Sequence, residues 1–339
     1  MKRTVLVTGG AGYIGSHALI ELLAGGYAPI VLDNFSTGRR SNLPAGVVCY
    51  EGDVGDGPLV GRILGQHAIT AVLHFAGSII VPESIENPIA YYRNNTVNSL
   101  TLIEQCVAHG VKHFVFSSTA AVYGVPDVDG PVGEDAALNP ISPYGASKRM
   151  VEEMLTDVSV AHPGFHAVAL RYFNVAGADP EGRCGQTGPA STHLIRCAVE
   201  TVLGERDQLT VFGDDYATRD GTCERDFIHV ADLAALHLKA LGYLEGGGAS
   251  TTVNCGYGRG ATVREVVSAL EDLIGRPIPV VQGPRRAGDP PSLIADVSRM
   301  RALFDWAPRH DRLDVILDTA LNWRKSERRR SGLEVGEAL

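Results

Sequence analysis

Short apolar runs and helical stretches alternate along the first half of the chain. Val5-Leu6-Val7 is continuously apolar and reads as a buried strand. Tyr13–Ala24 reads as a helix, closed by Gly25-Gly26. Ile30-Val31-Leu32 predicts a second strand, residues 47–50 a third and 71–75 a fourth. A single long helix is predicted over 89–109, followed by a fifth strand at Phe114-Val115-Phe116. Pro143 suits the first turn of another helix, over 143–160, and residues 166–170 give a sixth strand. Strands this uniformly apolar are buried on both faces. Their alternation with helices predicts an α/β fold around a parallel sheet covered on both sides.

The second half is less regular. Segments 127–140, 179–189 and 213–224 are rich in Gly, Pro, Asp and Asn and read as loops. Loops of this length inside a compact chain commonly carry function. Residues 251–254 look like a returning strand and Val263–Ile274 like a helix. The tail over 326–339 holds the run Arg328-Arg329-Arg330 with weak patterning, and is expected to be mobile. No internal repeat is visible.

Composition narrows the class. The 339 residues are 45% hydrophobic and 20% charged, as in ordinary globular chains. A formal charge of −9 speaks against a general nucleic-acid binder, which needs a basic face. The six cysteines are scattered without a CxxC pair, so they read as reduced residues of a cytoplasmic protein, with no metal-ligand cluster. Residues 1–8 are too short for a signal peptide. No apolar stretch approaches the roughly 20 residues that span a bilayer.

Chemistry enters at Thr8-Gly9-Gly10-Ala11-Gly12-Tyr13-Ile14-Gly15, three glycines spaced GxxGxxG between a strand and a helix. Gly9 permits the tight turn, Gly12 lets backbone approach a pyrophosphate, and Gly15 lets helix pack closely on sheet. The helix N-terminus offers free N–H groups to an anion. Asp33 stands eighteen residues after Gly15, at the end of the second strand. Its carboxylate suits adenosine ribose hydroxyls and repels a 2′-phosphate, so NAD is favoured over NADP. Asp53 could hold the adenine edge. Phe75-Ala76-Gly77 falls where open α/β sheets bind ligands, and Gly77 would let backbone lie against the cofactor.

A second constellation is Tyr144-Gly145-Ala146-Ser147-Lys148, a YxxxK pair one helical turn apart. A phenol of pKa about 10 is a poor base at neutral pH, and a neighbouring cation favours its ionised form. Lys148 could also grip the nicotinamide ribose. Ser117-Ser118-Thr119 ends the fifth strand at the same sheet edge, where the Thr119 hydroxyl could relay a proton to Tyr144. Thr119, Tyr144 and Lys148 together resemble the triad of the short-chain dehydrogenases/reductases.

With these motifs the chain resembles the UDP-glucose 4-epimerases, members of the extended short-chain dehydrogenase/reductase group. The likeness runs from about Lys2 to Trp323. It rests on Val7 to His17, Leu32-Asp33-Asn34, His74-Phe75-Ala76-Gly77 and Tyr91-Tyr92-Arg93-Asn94-Asn95. It continues through Ser142-Pro143-Tyr144-Gly145, Arg171-Tyr172-Phe173-Asn174, Arg225 to Val230, and Arg285-Arg286-Ala287-Gly288-Asp289.

The resemblance implies a Rossmann-type doubly wound parallel sheet over 1–174, rejoined by the chain at about 226–255. A smaller C-terminal α+β domain, mainly over 175–325, would bind the UDP-sugar. It implies NAD held by Tyr13, Ile14, Asp33, Asn34, Asp53, Val54, Phe75, Ala76, Gly77, Asn94, Tyr144, Lys148 and Phe173. UDP-glucose or UDP-galactose would meet Asn174, His193, Leu194, Thr210, Phe212, Arg225, Arg286 and Asp289. Two arginines suit a diphosphate, Phe212 a flat base and Asp289 ribose hydroxyls. The implied reaction is reversible C4 epimerisation through a 4-keto sugar, in a homodimer packed through the helices at 89–109 and 143–160.

Two positions depart from the family pattern. Ile79 stands where members often carry a lysine against the cofactor. Leu293 stands where some have a bulky tyrosine, which leaves room for N-acetylated UDP-hexosamines. A UDP-pentose 4-epimerase stays open as an alternative. A nucleotide-sugar 4,6-dehydratase is disfavoured, because Ala120-Ala121 replace the Asp-Glu such enzymes use. A non-catalytic NAD-sensing protein is the reading from another class, and the retained tyrosine and lysine weigh against it.

Overall fold

The computed structural model describes residues 3–128, 130–188, 192–286 and 288–330. Seven strands form one parallel sheet: β1 (Thr4–Thr8), β2 (Ala28–Asp33), β3 (Val48–Glu51), β4 (Ala71–His74), β5 (His113–Thr119), β6 (His166–Tyr172) and β11 (Thr251–Cys255). Their order is β11-β6-β5-β4-β1-β2-β3. The order reverses at β1, where Thr8 lies opposite Leu32 on one side and His74 on the other. Crossing helices bring every strand back in the same direction, so all carboxyl ends share one edge. The crevice at the reversal is where such sheets bind ligands.

Burial explains the uninterrupted apolar runs. Leu6, Leu32, Val72, Phe114 and Phe116 face helices Gly57–His67, Asn98–Ala108 and Pro143–Ala161. Val5, Val7, Val31, Leu73, Val115 and Val168 face helices Tyr13–Ala24 and Val230–Glu245. This is the parallel sheet covered on both sides that the patterning predicts, in the Rossmann-type doubly wound form that the resemblance implies. Helix Val230–Glu245 was not read from the sequence: Leu233, Ala234, Leu236, Ala240 and Leu241 are fully buried, so its turns lack a polar–apolar period.

Small sheets follow the sixth strand. β7 (Asn174–Ala176) pairs with β10 (Phe227–His229), and β8 (Leu209–Phe212) with β13 (Val280–Gly283). β9 (Glu224–Arg225) lies between β12 (Ala261–Thr262) and β14 (Ser292–Leu293).

Two expectations need correction. The long helix is interrupted: Pro88–Tyr91 and Asn98–Ala108 flank a wide π turn over Tyr92–Val97. Such turns recur at functional sites and carry no mark in a 3.6-residue period. The start of the tail is not loose either, since residues 326–330 complete helix Leu313–Arg330. Glu327 is buried and takes a hydrogen bond from Arg39 at 3.1 Å, while Arg330 lies over the Trp323 ring. Basic side chains in the last turn also oppose the helix dipole. Residues 331–339 lie outside the described residues. No helix among the described residues is long and apolar enough to cross a membrane.

Candidate active site

The glycine loop leaves β1 at the sheet reversal. Gly9 has φ +69°, and a Cβ there would come within 2.7 Å of the Ala76 backbone nitrogen. A Cβ on Gly15 would stand 2.2 Å from the Gly9 carbonyl, so the helix start closes directly on the loop. Gly12 precedes the first helical residue, and the Tyr13, Ile14 and Gly15 amides lie in the turn that has no intrahelical acceptors. At the end of β2, the Asp33 carboxylate accepts from Ala11 N at 2.9 Å and Phe35 N at 2.8 Å. Asp53 accepts from the side chains of Asn34 at 3.0 Å and Asn98 at 2.8 Å. Val54 beside it is buried. Asn98 joins this cluster unannounced by the sequence reading. Open amides, a close-approach glycine and a fixed carboxylate at the next strand end fit a dinucleotide.

Across the reversal, Phe75, Ala76 and Gly77 follow β4. A Cβ on Gly77 would meet Asn95 Oδ1 at 3.1 Å and Lys148 Nζ at 3.4 Å. The π turn aims two asparagines here. Asn94 donates to the Ser78 hydroxyl at 2.9 Å. Asn95 accepts from Ser78 N at 2.8 Å and donates to the Ser147 hydroxyl at 3.0 Å. Beneath them His74 bridges Thr8 Oγ1 at 2.6 Å and Ser99 Oγ at 2.8 Å. Burial, with the Lys148 charge, pushes its imidazole down to about 3, so it stays neutral. Asn95 and His74 were quoted in motifs but given no role. Ser147 lies 52 residues from Asn95 and Ser99 lies 25 from His74, beyond local pattern. Ile79 is an exposed surface residue.

Tyr144 and Lys148 ride helix Pro143–Ala161, whose first turn is capped by Ser142 Oγ accepting from Gly145 N at 3.2 Å. Thr119 ends β5, and its hydroxyl accepts from Ala121 N at 3.1 Å, capping the short turn Ala120–Val122. Burial raises the Tyr144 phenol above its ordinary value, and a hydrogen bond from the Thr119 side chain opposes that rise. Lys148 is 3% exposed. Burial lowers its ammonium to about 8, with the Glu152 charge acting the other way. It donates to the Ser117 carbonyl at 2.9 Å and stands 4.9 Å from the centre of the Phe116 ring. Thr119 thus eases ionisation of the phenol here. Phe173 is buried behind the end of β6, its N–H bonded to Cys255 O at 3.1 Å.

Of the remaining expected residues, five lie on the three small sheets and the rest at a helix start or in loops. Asn174 opens β7. Thr210 and Phe212 alternate onto the less buried face of β8. His193 precedes helix Leu194–Val202, which Leu194 opens. Arg225 on β9 donates to Asp289 at 2.9 Å, and Leu293 on β14 is its register partner. The Arg286 guanidinium lies 3.9 Å from the centre of the Phe212 ring. The two arginines and the two groups expected beside the nucleoside therefore hold one another. Ala287 lies outside the described residues. Among the described residues no group of three His, Cys, Asp or Glu could hold a metal ion.

Residues 5–256 match the model of the NAD dependent epimerase/dehydratase family. The chain is 55% identical over 322 residues to the UDP-glucose 4-epimerase of Azospirillum brasilense, covering 95% of this chain and 92% of that one. The crystal structure of UDP-glucose 4-epimerase from Brucella ovis in complex with NAD superposes with a TM-score of 0.91 at 45% identity, over 94% of this chain and 98% of that one. The UDP-Glc/GlcNAc 4-epimerase of Campylobacter jejuni superposes with a TM-score of 0.85 at 46% identity, over 96% and 99%. With its glycine loop, its β2 carboxylate and its Tyr144–Lys148 helix gathered on one sheet edge, the chain belongs to the NAD dependent epimerase/dehydratase family.

Proposed function

We propose that this protein is an NAD-dependent UDP-glucose 4-epimerase, interconverting UDP-glucose and UDP-galactose through a transient 4-keto sugar. The observation that carries the reading is the Tyr144 phenol, hydrogen-bonded by Thr119 at the same edge as the glycine loop. NAD, when bound, supplies the acceptor and donor for the C4 hydride. Tyr144 takes the C4 hydroxyl proton, directly or through Thr119, and later returns one to the same oxygen of the turned 4-keto sugar. Burial holds the phenol protonated until a positive charge arrives beside it, so ionisation is tied to a loaded site. Lys148 and Asn94 hold the cofactor's ribose end, and Asp33 its adenosine end. Arg225 and Arg286 anchor the diphosphate, with Thr210, Phe212 and Asp289 around the nucleoside and Asn174, His193 and Leu194 towards the sugar. An anchored diphosphate with a loosely held sugar lets the keto group present either face.

The half-buried Leu293 beside Arg225 favours acceptance of N-acetylated UDP-hexosamines as well. A UDP-pentose substrate is the alternative that the same assay excludes. We assign residues 1–174, with 226–255, to cofactor binding and 175–325 mainly to the UDP-sugar. Ile89, Val97 and Leu100 on the interrupted helical segment 88–108 and Met150 on helix Pro143–Ala161 are exposed, which supports a homodimer packed there. Six free cysteines suit a reducing cytoplasm. The test is conversion of UDP-galactose to UDP-glucose by the purified protein. Tyr144→Phe is expected to lose at least a hundredfold in kcat while still binding UDP. No conversion by the wild type, or full activity in the variant, would overturn the reading.

A further inference from the structure

Asp226 follows Arg225 and is completely buried, yet the reaction proposed above gives it no role. Its carboxylate accepts from three backbone N–H groups: Tyr257 at 2.8 Å on Oδ1, and Gly258 at 2.8 Å and Ala295 at 3.3 Å on Oδ2. Its own N–H donates to Leu293 O at 3.2 Å, and its carbonyl accepts from Asn174 N at 2.9 Å. Gly256 makes room for it, because a Cβ there would stand 2.4 Å from Asp226 Oδ2.

These five bonds run to three stretches of chain that are distant in sequence. Asn174 begins β7, Tyr257 and Gly258 form the turn after β11, and Leu293 and Ala295 belong to the strand segment beside Arg225. Three residues assigned to the UDP-sugar, Asn174, Arg225 and Leu293, are thus bonded or adjacent to one side chain's residue. Asp289 is tied in through Arg225. A buried carboxylate is costly unless its lone pairs are met. Here they are met by backbone alone, so displacing the carboxylate shifts main chain rather than flexible side chains. A shift of about 1 Å in such a frame is enough to loosen a bidentate grip on phosphate.

We propose that Asp226 is a positioning residue that sets the spacing of Arg225, Asn174 and Leu293 around the UDP-sugar without touching it. This rests on the UDP-sugar reading given above. Asp226→Asn keeps the shape but turns one acceptor into an NH2 group facing N–H donors. Gly256→Ala leaves the acid intact and drives a methyl group against it. Both variants are expected to raise KM for UDP-galactose and weaken calorimetric UDP binding at least tenfold. The change in kcat should stay within threefold, with NAD content unchanged.

A merely structural role would lower the melting temperature and the active fraction while leaving KM and UDP affinity alone. Wild-type values of both in Gly256→Ala would overturn the proposal even if Asp226→Asn failed to fold. UDP calorimetry does not depend on turnover. Failure of the wild type to convert UDP-galactose would therefore sink the reaction reading separately, leaving the role of Asp226 to be decided by UDP binding.

Discussion

Lys148 is held in a place where its charge is expensive, and replacing it should expose that cost. Its ammonium is buried and lowered from 10.5 to about 8. At about 1.36 kcal/mol per pKa unit, a neutral side chain of similar length relieves the cofactor-free fold of roughly 3 kcal/mol at pH 7. Loss of the bond to the Ser117 carbonyl takes back about 1 kcal/mol. Lys148→Met should therefore be more stable than the wild type by about 2 kcal/mol at pH 7, while losing its epimerase activity. The sign with pH follows from a folded value below the unfolded one. Under pH 8 both states hold the proton and the penalty is complete. Between pH 8 and 10.5 the fold sheds its proton before the unfolded chain does, and wild-type stability gains on the variant. The advantage should shrink by about 1.3 kcal/mol between pH 7 and pH 9. Urea unfolding of both cofactor-free proteins at those two values measures it. A variant no more stable than the wild type at pH 7, or a gap that ignores pH, would refute the picture of a charge strained by burial.

Two glycines of the cofactor site should respond differently to alanine. At Gly15 the new methyl carbon meets backbone at 2.2 Å, so Gly15→Ala should abolish retention of bound NAD, read by absorbance of the purified protein. At Gly77 it meets the ends of Asn95 and Lys148 at 3.1 and 3.4 Å, which can give way, so Gly77→Ala should keep NAD and weaken its binding severalfold. Leu293→Tyr should cut kcat/KM for UDP-N-acetylglucosamine at least tenfold relative to UDP-glucose. Equal losses on both substrates in paired kinetics would reject Leu293 as the wall of the sugar pocket.

What was legible in the sequence was local. Helix Tyr13–Ala24, with its closing glycines, and helix Val263–Ile274, with the Thr262–Glu265 capping box, are bounded by signals a few residues apart. The strands inside the sheet fill both of its faces, so apolar runs sufficed there, while the edge strand β3 is only partly buried. Three features lacked a local signal. The π turn at Tyr92–Val97 differs from helix by one residue of winding. Helix Val230–Glu245 places apolar Ala235 and Leu238 on its less buried side, so its two faces read alike. The side-chain partners of Asn95 and Asp226 come from segments folded in from elsewhere.

The pairing of Arg225 with Asp289 belongs with these, and it changes how the site must be valued. A guanidinium read from sequence as a free diphosphate ligand is here already hydrogen-bonded to a carboxylate at 2.9 Å. Arg286 likewise already rests on Phe212. A nucleotide arriving at such a site exchanges partners instead of satisfying bare charges, and only the surplus counts towards affinity. The existing contacts also keep both arginines ordered before the nucleotide binds, which lowers the entropy lost on binding. With Arg225 and Arg286 in the anchoring role proposed above, the grip on the diphosphate is weaker than two unpaired arginines would give but better aligned, and alignment is what an anchored, turning sugar requires.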